Sequence, residues 1–281
     1  MAASTSASSP STAGLQLGLA GKRVLVTGST SGIGRGIAQL FLQCGSTVYV
    51  NGRSQARCEA VCAELQAGDG CTGTALPAAG DMTKASGCKE VFAAVDAGGE
   101  LDVLICNFGQ YQSKAFEDFS DEEWEEVWTA NVMSVVRCTR HYLPTMRSRN
   151  TGRVVVIASE AGIKPLPNMV PYSTSKSAVI GLVRGLAETT KGTGVTVNSV
   201  LAGPTATAGV QQYFQELADG EGKPVEEVMR SYFKEHEPTS LHQRLLTVEE
   251  VANVVVFLAS SLGGAVNGAS QRAEGGIIRH I

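Results

Sequence analysis

The chain has 281 residues, of which 43% are hydrophobic and 18% are charged, and its formal net charge is −4. This length is enough for one large α/β domain with a buried core, although length alone also allows two domains. The acidic balance, without a block of basic residues, argues against a nucleic-acid partner. The longest apolar stretch, residues 251–266, is shorter than the about 20 residues of a membrane span, so no membrane partner is expected.

The first fourteen residues, MAASTSASSPSTAG, contain no charged side chain. They cannot bury enough apolar surface to order themselves, so we expect a disordered extension over residues 1–14. The serine-rich, acid-free composition also fits an address for a plastid or mitochondrion, although the expected arginines are missing. Seven cysteines at irregular spacing favour a reduced, cytoplasmic protein. Cys58 and Cys62 are four residues apart, but no histidine or second cysteine pair lies nearby, so no metal site is expected.

After this extension, short β-branched runs alternate with longer helical patterns. Strands are predicted at residues 23–27, 47–50, 73–78, 101–106, 152–159, 194–200 and around 268–273. Helices are predicted at residues 33–43, 55–66, 84–96, 121–147, 172–191 and 247–260. The strands are almost continuously apolar, which is typical of strands covered on both faces. The alternation therefore predicts an α/β fold in which a doubly wound parallel sheet carries helices on both faces.

The alternation breaks at residues 205–245, which form a polar and aromatic insertion. Its pattern predicts two short helices joined by a loop at residues 219–223. Insertions of this length in a compact domain are often lids, so we expect a small substrate lid within a single domain spanning residues 15–281. A surface excursion without function is the alternative. Thr247, with Glu250 three residues later, predicts a capping box where the regular pattern resumes.

The first predicted strand runs into a glycine-rich turn that precedes the first helix. Glycines let the backbone turn tightly and approach a pyrophosphate, and the free N–H groups at the helix start attract its charge. The order of strand, turn and helix favours a dinucleotide-binding turn over a capping loop without a ligand. The residues expected to contact the cofactor in this turn are Gly28, Ser29, Thr30, Ser31, Gly32, Ile33 and Gly34.

The end of the second strand favours NADP(H) over NAD(H). This strand ends in Asn51-Gly52-Arg53-Ser54 and carries no carboxylate that would bind the 2′-hydroxyl of NAD or repel a phosphate. Arg53 can bind the extra phosphate of NADP through charge-assisted hydrogen bonds. A solvated arginine unrelated to cofactor choice is the alternative.

Tyr172 and Lys176 are four residues apart on a predicted helix, a spacing that puts both side chains on one face with Cβ atoms roughly 5–6 Å apart. A nearby ammonium favours the phenolate, so we expect Lys176 to lower the tyrosine pKa from its ordinary value of about 10. Such a pair can donate or accept a proton at a carbonyl or alcohol oxygen. Ser159 ends the preceding predicted strand. Its hydroxyl can hold the substrate oxygen, since ligands bind at the carboxyl ends of parallel strands.

The glycine-rich turn, Ser159, Tyr172 and Lys176, in this order among the strands, resemble the short-chain dehydrogenase/reductases in their common short form. The resemblance covers roughly residues 17–281 and is closest to the branch of 3-oxoacyl-thioester reductases. It implies a Rossmann fold with seven parallel strands, and a homodimer or homotetramer.

The resemblance also implies roles for individual residues. Tyr172 is the general acid and base, Ser159 stabilises the reacting oxygen, and Lys176 binds nicotinamide-ribose hydroxyls and tunes Tyr172. Asn131 supports a proton relay through water. Further cofactor contacts are implied for Asp81 at the adenine and for Met82, Asn107, Gly109, Gly203, Thr205 and Thr207.

Some positions depart from the family pattern. Cys106 and Phe108 stand where the family's Asn-Asn-Ala-Gly motif has its first asparagine and its alanine. Cys106 cannot make the hydrogen bonds of an amide, and an inert buried thiol is expected there rather than a redox group. Ala202 replaces the usual proline before Gly203, and Glu274 replaces an aspartate that we assign to folding and subunit contact.

The sequence therefore predicts an NADP(H)-dependent oxidoreductase that interconverts the carbonyl and secondary alcohol forms of a small-molecule substrate. Reduction is the expected direction. The alternative is a catalytically silent NADP(H)-binding sensor or scaffold with the same fold, against which the intact Ser159, Tyr172 and Lys176 argue.

Overall fold

The computed structural model describes residues 16–280, and the extension predicted at residues 1–14 lies outside them. A seven-stranded, wholly parallel sheet forms the centre of the fold, with strand order β3-β2-β1-β4-β5-β6-β7. The strands are β1 (Arg23–Val26), β2 (Thr47–Gly52), β3 (Thr74–Ala79), β4 (Val103–Cys106), β5 (Gly152–Ile157), β6 (Val195–Ala202) and β7 (Ser270–Ala273). The order reverses between β1 and β4, which is where doubly wound sheets bind their ligands. The predicted fold class is confirmed.

Helices cover both faces of this sheet. They are α1 (Gly32–Gln43), α2 (Gln55–Gln66), α3 (Ala85–Asp96), α4 (Asp121–Trp128), α5 (Ser134–Ser148), α6 (Val170–Glu188), α7 (Ala208–Glu221), α8 (Val225–His236) and α9 (Val248–Ala259). The capping box predicted at the start of α9 is confirmed, because Thr247 Oγ1 accepts from the Glu250 N–H and Glu250 Oε2 accepts from the Thr247 N–H. Such a cap stabilises a helix by about 1 kcal/mol.

Two hydrophobic cores lie on opposite faces of the sheet. In β1, Val24 and Val26 belong to the core shared with α1 and α9, whereas Leu25 belongs to the core shared with α3, α5 and α6. Successive strand residues point to opposite faces, so a sheet with a core on each face needs an unbroken apolar run. This arrangement explains why the strands showed no alternation of apolar and polar residues in the sequence.

The predicted helix at residues 121–147 is interrupted. A π-helical turn, Thr129–Met133, separates α4 from α5, and it places Asn131 at a local widening of the helix. Single π-helical turns insert an extra residue and are frequent at functional sites. A smooth helical pattern of apolar residues does not reveal such an insertion, so the prediction of one regular helix was wrong here.

Several element boundaries also differ from the prediction, and three of them bear on the site. In the insertion at residues 205–245, α7 runs on to Glu221, and Gly222 ends it in the left-handed conformation with φ of 64°. The connection to α8 therefore lies at residues 222–224 rather than 219–223. The helix α6 begins at Val170, two residues earlier than predicted, and β5 ends at Ile157, which leaves Ser159 just beyond the strand.

Candidate active site

The glycine-rich turn between β1 and α1 forms a tight backbone cradle. Gly28 and Gly32 have φ values of 64° and 55°, a region that favours glycine. A Cβ atom on Gly34 would lie 2.4 Å from Asn107 Nδ2 and 2.5 Å from the Gly28 carbonyl oxygen. Ser31 caps α1 without a side-chain hydrogen bond. The N–H groups at the start of α1 are therefore available to a phosphate, and the cradle fits a pyrophosphate.

Two asparagines hold this cradle in place. Asn51, at the end of β2, accepts a hydrogen bond from the Gly28 N–H over 3.0 Å and donates to the carbonyls of Ala78 and Gly80. Asn107, after β4, donates to the carbonyls of Thr27 and Gly28, each over 3.0 Å. The Thr27 hydroxyl accepts from the backbone N–H groups of residues 107 and 108. The segment after β4 thus fixes the turn from one side.

The residues predicted at the adenosine end lie together after β2 and β3. Arg53 is exposed. Desolvation of Asp81 favours its neutral form, but hydrogen bonds from Thr83 and the charges of Lys84 and Arg53 outweigh it and lower the pKa of Asp81. The Asp81 carboxylate is thereby held in the loop after β3. Met82, which the resemblance implies as a further cofactor contact, follows Asp81, and its side chain is buried in the core.

Tyr172 and Lys176 lie in the first turns of α6 and share one side of that helix. Lys176 Nζ lies 5.5 Å from the centre of the Tyr172 ring and donates to the Ile157 carbonyl over 2.8 Å. Lys176 is buried, and this desolvation lowers its pKa to about 8, although the charge of Glu160 opposes the shift. The structure thus places the predicted pair against the carboxyl end of β5.

The expected lowering of the tyrosine pKa was wrong for this structure. Desolvation raises the pKa of Tyr172, the charge of Glu160 raises it further, and the Ser159 hydroxyl acts in the opposite direction. Burial penalises the phenolate, and at 5.5 Å from the ring centre the ammonium does not compensate for it. The phenol is therefore the resting form, which is the form that can donate a proton.

Ser159 begins the 3₁₀ turn Glu160–Gly162 that follows β5. Its Oγ accepts from the Ala161 N–H over 3.1 Å and donates to Glu160 Oε2 over 2.6 Å. Ser159 is buried, and its hydroxyl lies close enough to the Tyr172 phenol to lower the pKa of that tyrosine. The three residues predicted as the reacting group, Ser159, Tyr172 and Lys176, are thus brought together.

Asn131, in the π-helical turn, braces the loop after β4. Its Nδ2 donates to the Gln110 carbonyl and to Ser175 Oγ, and its Oδ1 accepts from the Gln110 N–H over 2.7 Å. A Cβ on Gly109 would lie 2.9 Å from Asn131 Oδ1 and 3.5 Å from Lys176 Nζ. Asn131 therefore lies next to the lysine, and Gly109 leaves space in front of both.

The segment after β6 reaches over the glycine-rich turn. Thr207 caps α7 by accepting from the Val210 N–H, and its methyl group lies 3.4 Å from the position of a Cβ on Gly32. Thr205 donates to the Gly203 carbonyl, and a Cβ on Gly203 would lie 2.7 Å from Glu274 Cα. Of these predicted contact residues, Thr207 therefore borders the glycine-rich turn, whereas Gly203 packs against Glu274.

Cys106 and Phe108, the two positions that depart from the family motif, both pack into the core of the protein. Cys106 is a free, buried thiol beside Cys138, and the hydrogen bond between the two thiols, followed by burial, raises the pKa of Cys138. Thiols held in the protonated form react slowly, which fits an inert Cys138. Phe108 packs against the core, and a Cβ on Gly28 would lie 3.0 Å from its Cα.

The insertion between β6 and α9 forms two helices with a small core of their own. Phe214 and Phe233 are buried, whereas Tyr213 is 51% exposed. The ion pair of Glu237, just after α8, with Lys164, on the loop after β5, joins this insertion to the segment that carries Ser159. Phe214 thus serves the packing of the insertion itself.

Several residues at the site were missed in the sequence. Glu160 is a buried acid next to Ser159, and Tyr111 stacks edge-to-face on Tyr172 with ring centres 6.0 Å apart. Glu160 could have been found in the sequence, because it is a charged residue within a run of small residues, Ala158-Ser159-Glu160-Ala161-Gly162. No sequence signal pointed to Tyr111, because its contact joins two distant segments.

Among residues 16–280, no group of three or more His, Cys, Asp or Glu side chains is arranged to hold a metal ion. Over the same part of the chain, no helix combines the length and the apolar character needed to cross a membrane.

Residues 22–218 match the family model described as short chain dehydrogenase. The uncharacterized oxidoreductase YvrD of Bacillus subtilis is 50% identical over 267 residues, which cover 95% of this chain and 100% of YvrD. The 3-oxoacyl-[acyl-carrier-protein] reductase FabG of Aquifex aeolicus is 33% identical and covers 94% of this chain over its own full length. The solved structure of L-sorbose reductase from Gluconobacter frateurii, complexed with NADPH and L-sorbose, has a TM-score of 0.88 at 28% identity, covering 95% of this chain and 100% of that one.

Proposed function

The chain belongs to the short-chain dehydrogenase/reductase family of oxidoreductases, and we propose that it interconverts a carbonyl and a secondary alcohol with NADP(H), using Tyr172 as general acid and base. The observation that carries this proposal is the meeting of Ser159, Tyr172 and Lys176 at the carboxyl end of β5, beside the glycine-rich cradle.

The chain's own residues supply positioning and proton transfer. NADP(H), when bound, supplies or accepts the hydride. In reduction, Tyr172 donates its phenolic proton to the substrate oxygen, and in oxidation the phenolate accepts a proton from the alcohol. Ser159 donates a hydrogen bond to the oxygen while it carries negative charge. Lys176 keeps a positive charge beside Tyr172, and Asn131 holds the loop at residues 109–110 against that lysine.

The preference for NADP(H) over NAD(H) rests on the end of β2. Arg53 is exposed there and its charge acts on Asp81, so the guanidinium lies beside the adenosine end of the cleft. A phosphate would gain a charge-assisted hydrogen bond from this arginine. The bound NADPH in the L-sorbose reductase structure supports the same cofactor.

We further propose that α7 and α8 form a lid over a small-molecule substrate. The ion pair between Lys164 and Glu237 supports this role, since it connects the lid to the loop that begins at Ser159. Closing a lid excludes water from the reacting groups and strengthens their electrostatic interactions.

A homodimer or homotetramer is proposed as the working form. An apolar groove between α5 and α6 supports this, and its apolar lining consists of Val136, Leu143, Pro144, Leu182 and Leu186. We expect a mass in solution of two or four chains by light scattering. Leu186→Glu should lower that mass, and a monomeric wild-type protein would contradict the proposal.

The experiment that tests the proposed function follows NADPH oxidation with a panel of ketones, aldehydes and sugars. We expect turnover of at least one carbonyl by the wild-type protein and none above background by Tyr172→Phe. Tyr213→Phe, which removes an exposed hydroxyl on the lid, is the matched control and should keep full activity. Tight NADPH binding by the wild-type protein without any turnover would instead favour a sensor or scaffold.

A further inference from the structure

A buried carboxyl group lies beside the serine of the site and has no part in the proposed proton transfer. Glu160 follows Ser159 directly and is 6% exposed. The Ser159 Oγ donates to Glu160 Oε2 over 2.6 Å and accepts from the Ala161 N–H over 3.1 Å. A serine hydroxyl has one hydrogen and two lone pairs. In this arrangement Ser159 has given its hydrogen to Glu160, and only one lone pair remains for other groups.

The protonation state of Glu160 decides in which direction the serine hydrogen points. A carboxylate only accepts hydrogen bonds, so it takes the hydrogen of Ser159. A neutral carboxylic acid can donate, and Ser159 Oγ then accepts from both Glu160 and the Ala161 N–H. Both lone pairs of the serine are used in that state, so its hydrogen must be donated elsewhere. The neighbouring acceptors are the Tyr172 phenol oxygen and, in the proposed mechanism, the substrate oxygen that Tyr172 protonates.

Resting on the proposed function, we propose that Glu160 is a positioning residue that acts through Ser159. As the neutral acid it directs the serine hydroxyl to the substrate oxygen, and as the carboxylate it withdraws that hydrogen bond. During reduction the hydride reaches the carbonyl carbon, the oxygen gains negative charge, and Tyr172 supplies the proton. Alcohol oxidation crosses the same transition state, so both directions need the neutral form of Glu160. Glu160 itself exchanges no proton with the substrate.

The groups around Glu160 come from three elements. Tyr172 and Lys176 face it from α6, and Glu237 faces it from the end of α8. Burial raises the pKa of Glu160 to about 7, the hydrogen bond from Ser159 opposes this shift, and the charge of Glu237 adds to it. The switch between the two serine orientations therefore falls close to neutral pH.

Two further side chains complete these surroundings. Lys164, on the loop after β5, is paired with Glu237. Burial raises the pKa of Tyr232 on α8, and the charges of Glu237 and Glu160 add to the shift, which places Tyr232 near both acids. The lid therefore contributes one acid and one phenol to the surroundings of Glu160.

The pH profile of kcat/KM for carbonyl reduction is the first readout. In the wild-type protein, kcat/KM should fall about tenfold between about pH 6 and about pH 8, in proportion to the neutral fraction of Glu160. In Glu160→Gln the side-chain amide can donate permanently to Ser159 Oγ, so this fall should shrink to less than about twofold up to about pH 7.5. A fall that persists unchanged in Glu160→Gln would overturn the inference.

Two other variants separate Glu160 from Lys176, whose pKa is also near this range. Glu237 acts on the pKa of Glu160 but not on that of Lys176. Glu237→Gln removes a negative charge and should move the midpoint of the fall to lower pH, whereas a midpoint set by Lys176 would stay in place. In Ser159→Ala no hydroxyl is left to redirect, so the remaining activity should lose this pH dependence. Adding Glu160→Gln to Ser159→Ala should then change kcat/KM by less than about twofold.

Infrared difference spectra of the NADPH-bound protein give a readout that needs no turnover. The C=O stretching band of a neutral carboxyl group should disappear between about pH 6 and about pH 8 in the wild-type protein and be missing in Glu160→Gln. A Glu160 that is ionised throughout this range overturns the inference by itself. A protein that reduces no carbonyl contradicts the proposed function instead, and the infrared result still decides whether Glu160 titrates near neutrality.

Discussion

Replacing Gly34 by alanine tests the tight approach of the loop after β4 to the glycine-rich turn. The added Cβ would lie 2.4 Å from Asn107 Nδ2 and 2.5 Å from the Gly28 carbonyl oxygen. The second of these atoms belongs to the backbone, so the turn itself must move. Asn107 Nδ2 also donates the two hydrogen bonds that hold the Thr27 and Gly28 carbonyls.

The size of the effect follows from these contacts. Overpacking a close contact costs about 1–3 kcal/mol, and each weakened hydrogen bond costs about 1 kcal/mol. With two hydrogen bonds weakened, a loss of about 3–5 kcal/mol lowers the Tm of a protein of this size by roughly 6–15 °C. Because the same shift misplaces the N–H groups of the cradle, the Kd for NADPH should rise at least about tenfold.

Thermal unfolding and NADPH titration by calorimetry or fluorescence measure these two quantities. Gly220→Ala is the matched control, because a Cβ at this exposed position in α7 meets no atom within 4 Å. The control should leave the Kd for NADPH unchanged and the Tm equal or slightly raised. A Gly34→Ala protein that has the same Tm and the same Kd for NADPH as the wild type would refute the proposed cradle.

Two further predictions concern the cofactor phosphate and the start of α9. Arg53→Asp should weaken NADPH about 10–100-fold and leave NADH nearly unchanged, because one charge-assisted contact is lost and a repulsive carboxylate is added. Arg57→Asp is the control, since Arg57 is paired with Glu64 on α2. Equal losses of NADPH and NADH affinity in Arg53→Asp would contradict the proposed contact between Arg53 and the cofactor phosphate. Arg244 and the Thr247 N–H lower the pKa of Glu250 to about 2. The ionised Glu250 therefore stabilises the folded protein fully above the unfolded pKa of about 4.3, and this stabilisation is lost as the pH falls through about 2. Glu250→Gln should therefore cost no more than about 1 kcal/mol at pH 7, since the pair is exposed, and the difference in urea unfolding should vanish in acid.

Much of the fold followed from local patterns in the sequence. The strands needed apolar residues on both faces, and the turn from β1 to α1 needed glycines, so both features were visible along the chain. The spacing of Tyr172 and Lys176 likewise followed from the helical repeat. These features depend on residues that are close in sequence, which is why they could be predicted.

The remaining features depend on contacts between distant segments. The π-helical turn at Asn131 is tied to the Gln110 backbone and to Ser175. The direction of the Tyr172 pKa shift depends on burial and on the charge of Glu160. Neither can be inferred from the spacing of Tyr172 and Lys176 in the sequence. The bond from Ser159 to Glu160 joins neighbours in sequence, but only the folded loop orients the two side chains toward each other.

The most direct test of the account compares catalysis with cofactor binding in Tyr172→Phe. This change removes one hydroxyl and keeps the ring that packs against Tyr111. We expect kcat for carbonyl reduction to fall about 10²–10⁴-fold while the Kd for NADPH stays within about threefold. A variant that keeps wild-type kcat would contradict the role of Tyr172 as the proton donor.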